Sequence, residues 1–363
     1  MMGERGAVHG RGKTQWAVID TGLRDADENM AFDHALMAAV ADGMQGSTFR
    51  FLHFRDCALL GHHQSPRQEL DLDFCIRESV QVQRRLTGGG AIIFDETQLG
   101  WELVCRREEL PAGDMSFLAQ EICQAAALGL RQLGIDAQFR PRNDIEVEGR
   151  KISGTGGIID GQVVLFQGTV LIDLDIPRML RILRVPVEKL DAHAIQSVAE
   201  RVTSLHALLG RLPGKPEVKE ALVDGFRAHF AWDMRETPVP EALTTYLPTA
   251  LATVRDPEWL QLQDRPRSEQ ALLQAVHRAR GGTLRSELLW DERGKRIRQI
   301  AFSGDFFVQP RRAVLDLEAA LRNSHIEDLP QIVERWYHET PVDALGLQPS
   351  DFVQVVREAL PCG

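Results

Sequence analysis

Three consecutive glycines, Gly88-Gly89-Gly90, follow the adjacent arginines Arg84-Arg85 and run directly into the apolar segment Ala91-Ile92-Ile93-Phe94. A strand entrance without side chains lets a phosphate or an acyl chain come to van der Waals distance of the backbone. A second segment, Gly149-Arg150-Lys151-Ile152-Ser153-Gly154, sets one lysine between glycines at the edge of another apolar run. Such a lysine suits a negative charge, a carboxylate or an α-phosphate. Taken singly, the triplet also reads as a turn or bulge and Gly-Arg-Lys as a charged hairpin turn.

The chain around these segments has 363 residues, 44% hydrophobic and 26% charged, enough for a large core and more than one domain. Its formal net charge of −10 argues against nonspecific nucleic-acid binding while leaving room for a local basic pocket. No apolar run reaches the length that crosses a bilayer, so no membrane partner is expected. Residues 1–15 are polar and Gly-rich, lack the apolar core of a signal peptide, and read as a disordered lead-in. Cys57, Cys75, Cys105, Cys123 and Cys362 are odd in number and widely spaced, without Cys-x-x-Cys pairs. They read as small buried hydrophobes of a cytoplasmic protein.

Phe32, Leu36 and Val40 predict a helix over 27–42, and 49–54 and 58–61 read as strands followed by a loop, Gly61-His62-His63-Gln64-Ser65-Pro66. Ser116 reads as the cap of a helix ending at Gly134. Residues 140–155 read as a site-bearing hairpin, 158–176 as a central strand pair turning at Asp160-Gly161, and 196–232 as helical. Residues 236–267 carry five prolines and no strong periodicity. The expected division is a lead-in 1–15, a catalytic domain 16–245, a linker 246–267 and a smaller domain 268–363. In the last, two strands bracket a turn at 291–295, and 313–322, 329–338 and 349–360 read as helices. The expected class is α/β (α+β), a mixed sheet with flanking helices.

In combination and in this order, the motifs resemble the lipoate–protein ligase family. That family carries Arg-Arg-x-(Ser/Thr)-Gly-Gly-Gly-Ala, matched by residues 84–91, then Arg-Asn-Asp, matched by Arg142-Asn143-Asp144. It continues with Gly-(Lys/Arg)-Lys-x-Ser-Gly, matched by residues 149–154, and a strand containing Gly-Thr, matched by Gly168-Thr169. Gly304-Asp305-Phe306-Phe307 matches a segment of the accessory domain that often follows. The resemblance implies ATP-dependent attachment of lipoate or octanoate to a lysine of a lipoyl carrier protein, a glycine-cleavage H-protein-like or related lipoate-binding protein, through an acyl-adenylate. Lys151 is then the charge-stabilising catalytic residue. Arg85 holds phosphate or the adenylate with Arg84 behind it, and Gly88, Gly89, Gly90 and Ala91 form a floor for the ligand. Asn143 and Asp144 serve ribose, adenine or Mg²⁺, Asp144 being the candidate metal ligand, with an Asx turn as the competing reading. Gly154, Gly168 and Thr169 complete the binding set.

Two departures stand out: Phe94-Asp95 where the family has His-Asp, and Gln167-Gly168-Thr169 where it has His-Gly-Thr. His62, His63 and Gln64 stand where many ligases carry arginine or an aromatic. Those histidines read equally as ligand contacts or polar surface. An octanoyltransferase of the same fold would need a nucleophilic cysteine, and residues 124–150 contain none. A biotin–protein ligase ranks below it, and a noncatalytic carrier-binding protein is the alternative from another class.

Overall fold

The computed structural model describes residues 14–141, 143–184, 192–263, 271–340 and 342–361. Arg142, Cys362, all but the last two residues of the lead-in and part of the expected linker lie outside the described residues. The larger part is built on an eight-stranded mixed sheet. Its order is Asp233–Glu236, Gln15–Arg24, Thr48–Phe54, Gln98–Arg106, Val163–Leu171, Arg150–Asp160, Asp144–Val147, Gln138–Arg140. Gln15–Arg24 pairs in parallel with both neighbours, and every later pairing is antiparallel.

Strand alternation sends Phe49, Phe51 and Trp101 to one face, where the helices Met115–Arg131 and Lys215–Phe230 cover them. These two helices approach closely because Gly129 and Gly225 have no side chains; a Cβ on Gly225 would run into the helix Met115–Arg131. Leu52 and Phe54 face the other side, against the helix Ala26–Ala41. That helix begins where the Asp25 amide donates to Glu28. It is buried on nearly every side because the helix Leu243–Arg255 packs on its outer flank.

A three-stranded sheet, Gln81–Arg84, Cys57–Leu60, Ile92–Phe94, sits beside the main one. The glycine triplet is the connection between its two outer strands. The C-terminal region has its own four-stranded antiparallel sheet, Leu273–Ala279, Gly282–Asp291, Arg296–Gly304, Ser324–His325. Helices Ala313–Leu321, Leu329–Glu339 and Pro349–Ala359 enclose a separate core around Phe302, Phe306, Trp336 and Phe352.

Several expectations shift. Asp114, not Ser116, caps the helix Met115–Arg131 by accepting from the Phe117 amide. The stretch 196–232 is three helices, Ala192–Ala199, Leu205–Leu209 and Lys215–Phe230, interrupted where Ser204 caps and Gly210 turns left-handed. The Pro-rich stretch holds the helices Leu243–Arg255 and Pro257–Leu260 rather than an unstructured linker. Pro248 lies inside the first of these helices, past its first turn, where it removes one backbone donor, and Leu243, Ala250 and Val254 are buried. The strand Leu273–Ala279 escaped the sequence reading because it alternates only between half-buried and exposed positions. Among the described residues no helix is long and apolar enough to cross a membrane.

Candidate active site

The hairpin of Asp144–Val147 and Arg150–Asp160 turns at Glu148-Gly149, both at positive φ (52° and 75°). This turn delivers Lys151. The lysine backbone is fixed on both sides, its amide donating to Arg201 O (2.8 Å) and its carbonyl accepting from Thr203 N (2.9 Å). The side chain bends back across Gly154, where a Cβ would stand 2.6 Å from Nζ and 2.8 Å from Cε. Glycine at 154 therefore makes room for the lysine. Nζ lies 2.8 Å from Asp144 Oδ1, and the lysine side chain as a whole stays about a third exposed. Gly154 N donates to Thr169 Oγ1 (3.2 Å), which ties the lysine's strand to the Gly168-Thr169 strand.

Gly154 lies on the polar rim of a narrow cavity with about 430 Å³ of empty space, its open mouth included. Thr155, Gly156, Gln167, Gly168, Thr169, Arg85, Thr87 and Gly88 share that rim. The rest of the lining is Gly100, Trp101 and the apolar side chains of Met30, Leu52, Phe54, Leu59, Ile92 and Phe94. An apolar chain with an anionic head fits this polarity, the head toward Lys151 and Arg85.

Arg84 and Arg85 are both buried. Arg84 donates to the carbonyls of Gly61, His62, Trp259 and Leu260, joining the 61–64 loop to the helix Pro257–Leu260. Arg85 donates to the carbonyls of Leu59, Gly88 and Gly90 and to Thr87 Oγ1. Its fork thus shapes the glycine loop rather than reaching out to a ligand. Burial, and secondarily the Arg84 charge, hold its guanidinium down at about 9. No carboxylate pairs with it among the described residues, so its positive charge projects onto the rim without spending a donor there.

The floor expected for a ligand is covered by protein. The Phe306 carbonyl accepts from Gly89 N (3.2 Å), and a Cβ on Gly88 would run into it. The Phe307 ring lies 2.7 Å from where a Gly89 Cβ would stand and 2.9 Å from that of Gly156. Gly90 is exposed near Asp305, and Ala91 packs with the small sheet outside the cavity. Gly168 makes room for the Trp101 indole, whose Cε2 would lie 2.5 Å from its Cβ.

Asn143 and Asp144 are placed together, with other tasks than expected. Asn143 Nδ2 donates to Thr155 O, and its own carbonyl accepts from Thr155 N and Oγ1 (2.9 and 2.8 Å). Asp144 is the ion-pair partner of Lys151. Among the described residues no group of three or more His, Cys, Asp or Glu is placed to hold a metal.

His62, His63 and Gln64 are all buried rather than polar surface, and none lines the cavity. Gln64 Oε1 accepts from Gly61 N, closing the loop. His63 stacks on Phe306 at 4.8 Å, and His62 meets Trp259. Burial holds His63 neutral, down at about 3, with the Arg84 charge adding to it, and depresses His62 as well.

One cluster escaped the sequence reading. Arg50 Nε lies 2.6 Å from Glu102 Oε1, its Nη2 lies 2.5 Å from Asp33 Oδ1, and all three side chains are fully buried. Burial and the neighbouring Glu102 push the Asp33 carboxyl well above the usual range. Gln167 connects this cluster to the rim, donating to Asp33 (3.3 Å) and accepting from Thr87 Oγ1 (2.8 Å). The available signal was a charge inside each apolar run, Arg50 between phenylalanines and Glu102 between Trp101 and Leu103.

The described cysteines are buried and free. Cys123 Sγ lies 3.3 Å from Thr155 Oγ1, and Cys57 packs among Leu52, Phe54, Leu59 and Phe94; burial pushes both thiols up, Cys123 to about 12.

Residues 25–227 match the model of the lipoyl protein ligase A/B catalytic domain. The octanoyltransferase LipM of Symbiobacterium thermophilum is 31% identical over 238 residues, covering 59% of this chain and 86% of that protein. A lipoate-protein ligase A structure bound with ATP superposes with a TM-score of 0.60 at 22% identity, covering 69% of this chain and 99% of that one. Plasmodium falciparum LipL1 in complex with lipoate superposes with a TM-score of 0.71 at 14% identity, covering 94% of this chain and 98% of that one. These two superpositions establish the fold.

Proposed function

The chain belongs to the lipoyl protein ligase A/B catalytic-domain family, and we propose that it activates lipoate or octanoate with ATP and transfers the acyl group to a lipoyl carrier lysine. In the first step a carboxylate oxygen attacks the α-phosphorus and pyrophosphate leaves. In the second the carrier amine attacks the acyl carbonyl, AMP leaves with the bonding pair, and the amine proton passes to solvent. Both steps move negative charge past one point, and a fixed cation there lowers both barriers. Lys151 suits that place: its backbone is pinned, and its ammonium lies over Gly154, a residue of the cavity lining, in an ion pair with Asp144.

The observation that carries this reading is a lysine laid over Gly154, a residue that lines a largely apolar cavity. An octanoyltransferase would store the acyl group as a thioester, which needs a thiolate. The similarity to LipM favours that alternative. Cys123 and Cys57 both pack against cavity-lining residues, and burial keeps each a thiol. ATP binding by a relative of the same fold, and lipoate binding by LipL1, are in keeping with the ligase reading. The residues fit a Mg²⁺ only as an ion carried on the nucleotide phosphates with Asp144 as its one carboxylate, since Lys151 already neutralises that group.

The test is pyrophosphate release with octanoate or lipoate and Mg-ATP, followed by mass spectrometry of a lipoyl carrier. Acyl-dependent pyrophosphate and a carrier gaining one acyl group are expected. Transfer from octanoyl-acyl carrier protein without ATP would establish the transferase instead. The same assay tests the two-domain division, which we place after the helix Pro257–Leu260 because Leu243–Arg255 packs with the catalytic part. A chain ending at residue 263 is expected to stay folded and to lose activation.

A further inference from the structure

Phe307 lies in the C-terminal region but does not belong to its core. Phe306 and Val308, on either side, are buried in that core. Phe307 stands in the short connection between the strands Arg296–Gly304 and Val308–Gln309, its ring directed at the glycine loop, and remains half-buried. Its ring leaves its own region and enters the space above Gly88, Gly89 and Gly156, three positions where a Cβ would strike the 306–307 segment. Gly88 and Gly156 are rim residues of the acyl cavity, and Gly156 is two residues from Gly154, over which Lys151 lies.

The backbone holds the ring there. Gly89 N donates to Phe306 O, Gly304 N to His63 O (2.8 Å), and Leu345 N to Phe307 O (3.2 Å). Gln309 adds a contact beyond the ring, its Oε1 accepting from Ile159 N (2.8 Å). A planar apolar group against bare glycine backbone is the contact a purine or an acyl chain would make at the same place.

We propose that Phe307 is a stopper of the glycine loop, covering the surface on which the ligand must lie and competing with it. The proposal rests on the reading of the cleft as an acyl-adenylate site. A binding-competent fraction f of the protein weakens apparent affinity by 1/f, so removing the stopper tightens binding.

The experiment compares the full-length protein with Phe307→Ala and Phe307→Trp. Calorimetry with octanoate and with Mg-ATP measures affinity, amide hydrogen exchange at Gly88–Gly90 measures cover, and a thermal melt checks the fold. Phe307→Ala is expected to bind at least one ligand about threefold or more tighter, with faster exchange at the loop. Phe307→Trp is expected to bind more weakly. Unchanged exchange, or a parent protein that binds a ligand which Phe307→Ala binds no more tightly, overturns the stopper. Faster exchange with no binding of either ligand to any of the three proteins supports the stopper and overturns the acyl-adenylate reading instead.

Discussion

Gly154 and the Gly88–Gly90 loop lie on the same rim, and both are filled by protein, from opposite distances along the chain. Gly154 receives the side chain of Lys151, three residues away on the same hairpin. Gly88 and Gly89 receive Phe306 and Phe307 from the far end of the sequence. A local filling group travels with the hairpin and holds its place as long as the turn is folded. A distant one holds only while two separately cored regions stay docked. Glycine in a sequence thus announces a close approach without saying what approaches.

The sharpest way to break the comparison is at the lysine. Lys151→Ala is expected to lower acyl-dependent pyrophosphate release by about two to three orders of magnitude, the usual loss for one preorganised charge. The melt should be unchanged, since the side chain fills no core. Gly154→Ala should cost roughly a hundredfold with Lys151 still present, because the ammonium must shift by about an ångström to clear the methyl. Near-normal turnover in Gly154→Ala would detach the lysine's present position from catalysis.

The distant contact should fail differently. In Gly88→Ala the new methyl meets a backbone carbonyl that cannot rotate away. The expected cost is about 1–3 kcal/mol, as for other overpacked contacts, read as a lower unfolding midpoint of the C-terminal region. A melt indistinguishable from the parent would mean that the two regions are not tightly docked in solution.

Acid should act on the same junction more gently. Burial depresses His34 to about 4 and His63 to about 3, from an ordinary value of 6.5. Below pH 6.5 the unfolded chain takes up protons that the folded chain refuses, so stability falls as pH falls from 6.5 toward 4. His63→Phe, which keeps a ring on Phe306, should flatten the dependence of melting temperature on pH between those values. An unchanged slope would assign the acid sensitivity elsewhere.

The smallest expected effect is at Cys123. Cys123→Ala should leave pyrophosphate release within about twofold, because a buried thiol far from its ionised form is no nucleophile. Loss of carrier acylation in a folded Cys123→Ala protein would restore the transferase.

How much of this was legible follows the same division between near and far. The helix at 26–41, the hairpin carrying Lys151 and the strand pair after it were readable because spacing and turn residues act over a few positions. The Leu243–Arg255 helix was not, because Pro248 and the prolines flanking the helix hid a face that is buried against Ala26–Ala41. Arg84 and Arg85 were recognisable as important, yet their donors go to backbone carbonyls from Leu59 to Leu260, a set of partners no local pattern specifies.

The sequence alone determined the family motifs, the lysine between glycines and the apolar stretch beside the triplet, because these depend on residue type and short spacing. Only the tertiary structure decided that Asp144 pairs with Lys151, that Asp33, Arg50 and Glu102 share one buried cluster, and that Phe307 covers the glycine loop. The physical reason is that desolvation and steric contact are set by what surrounds a group in space. For these residues the surroundings come from strands and helices far apart in the chain.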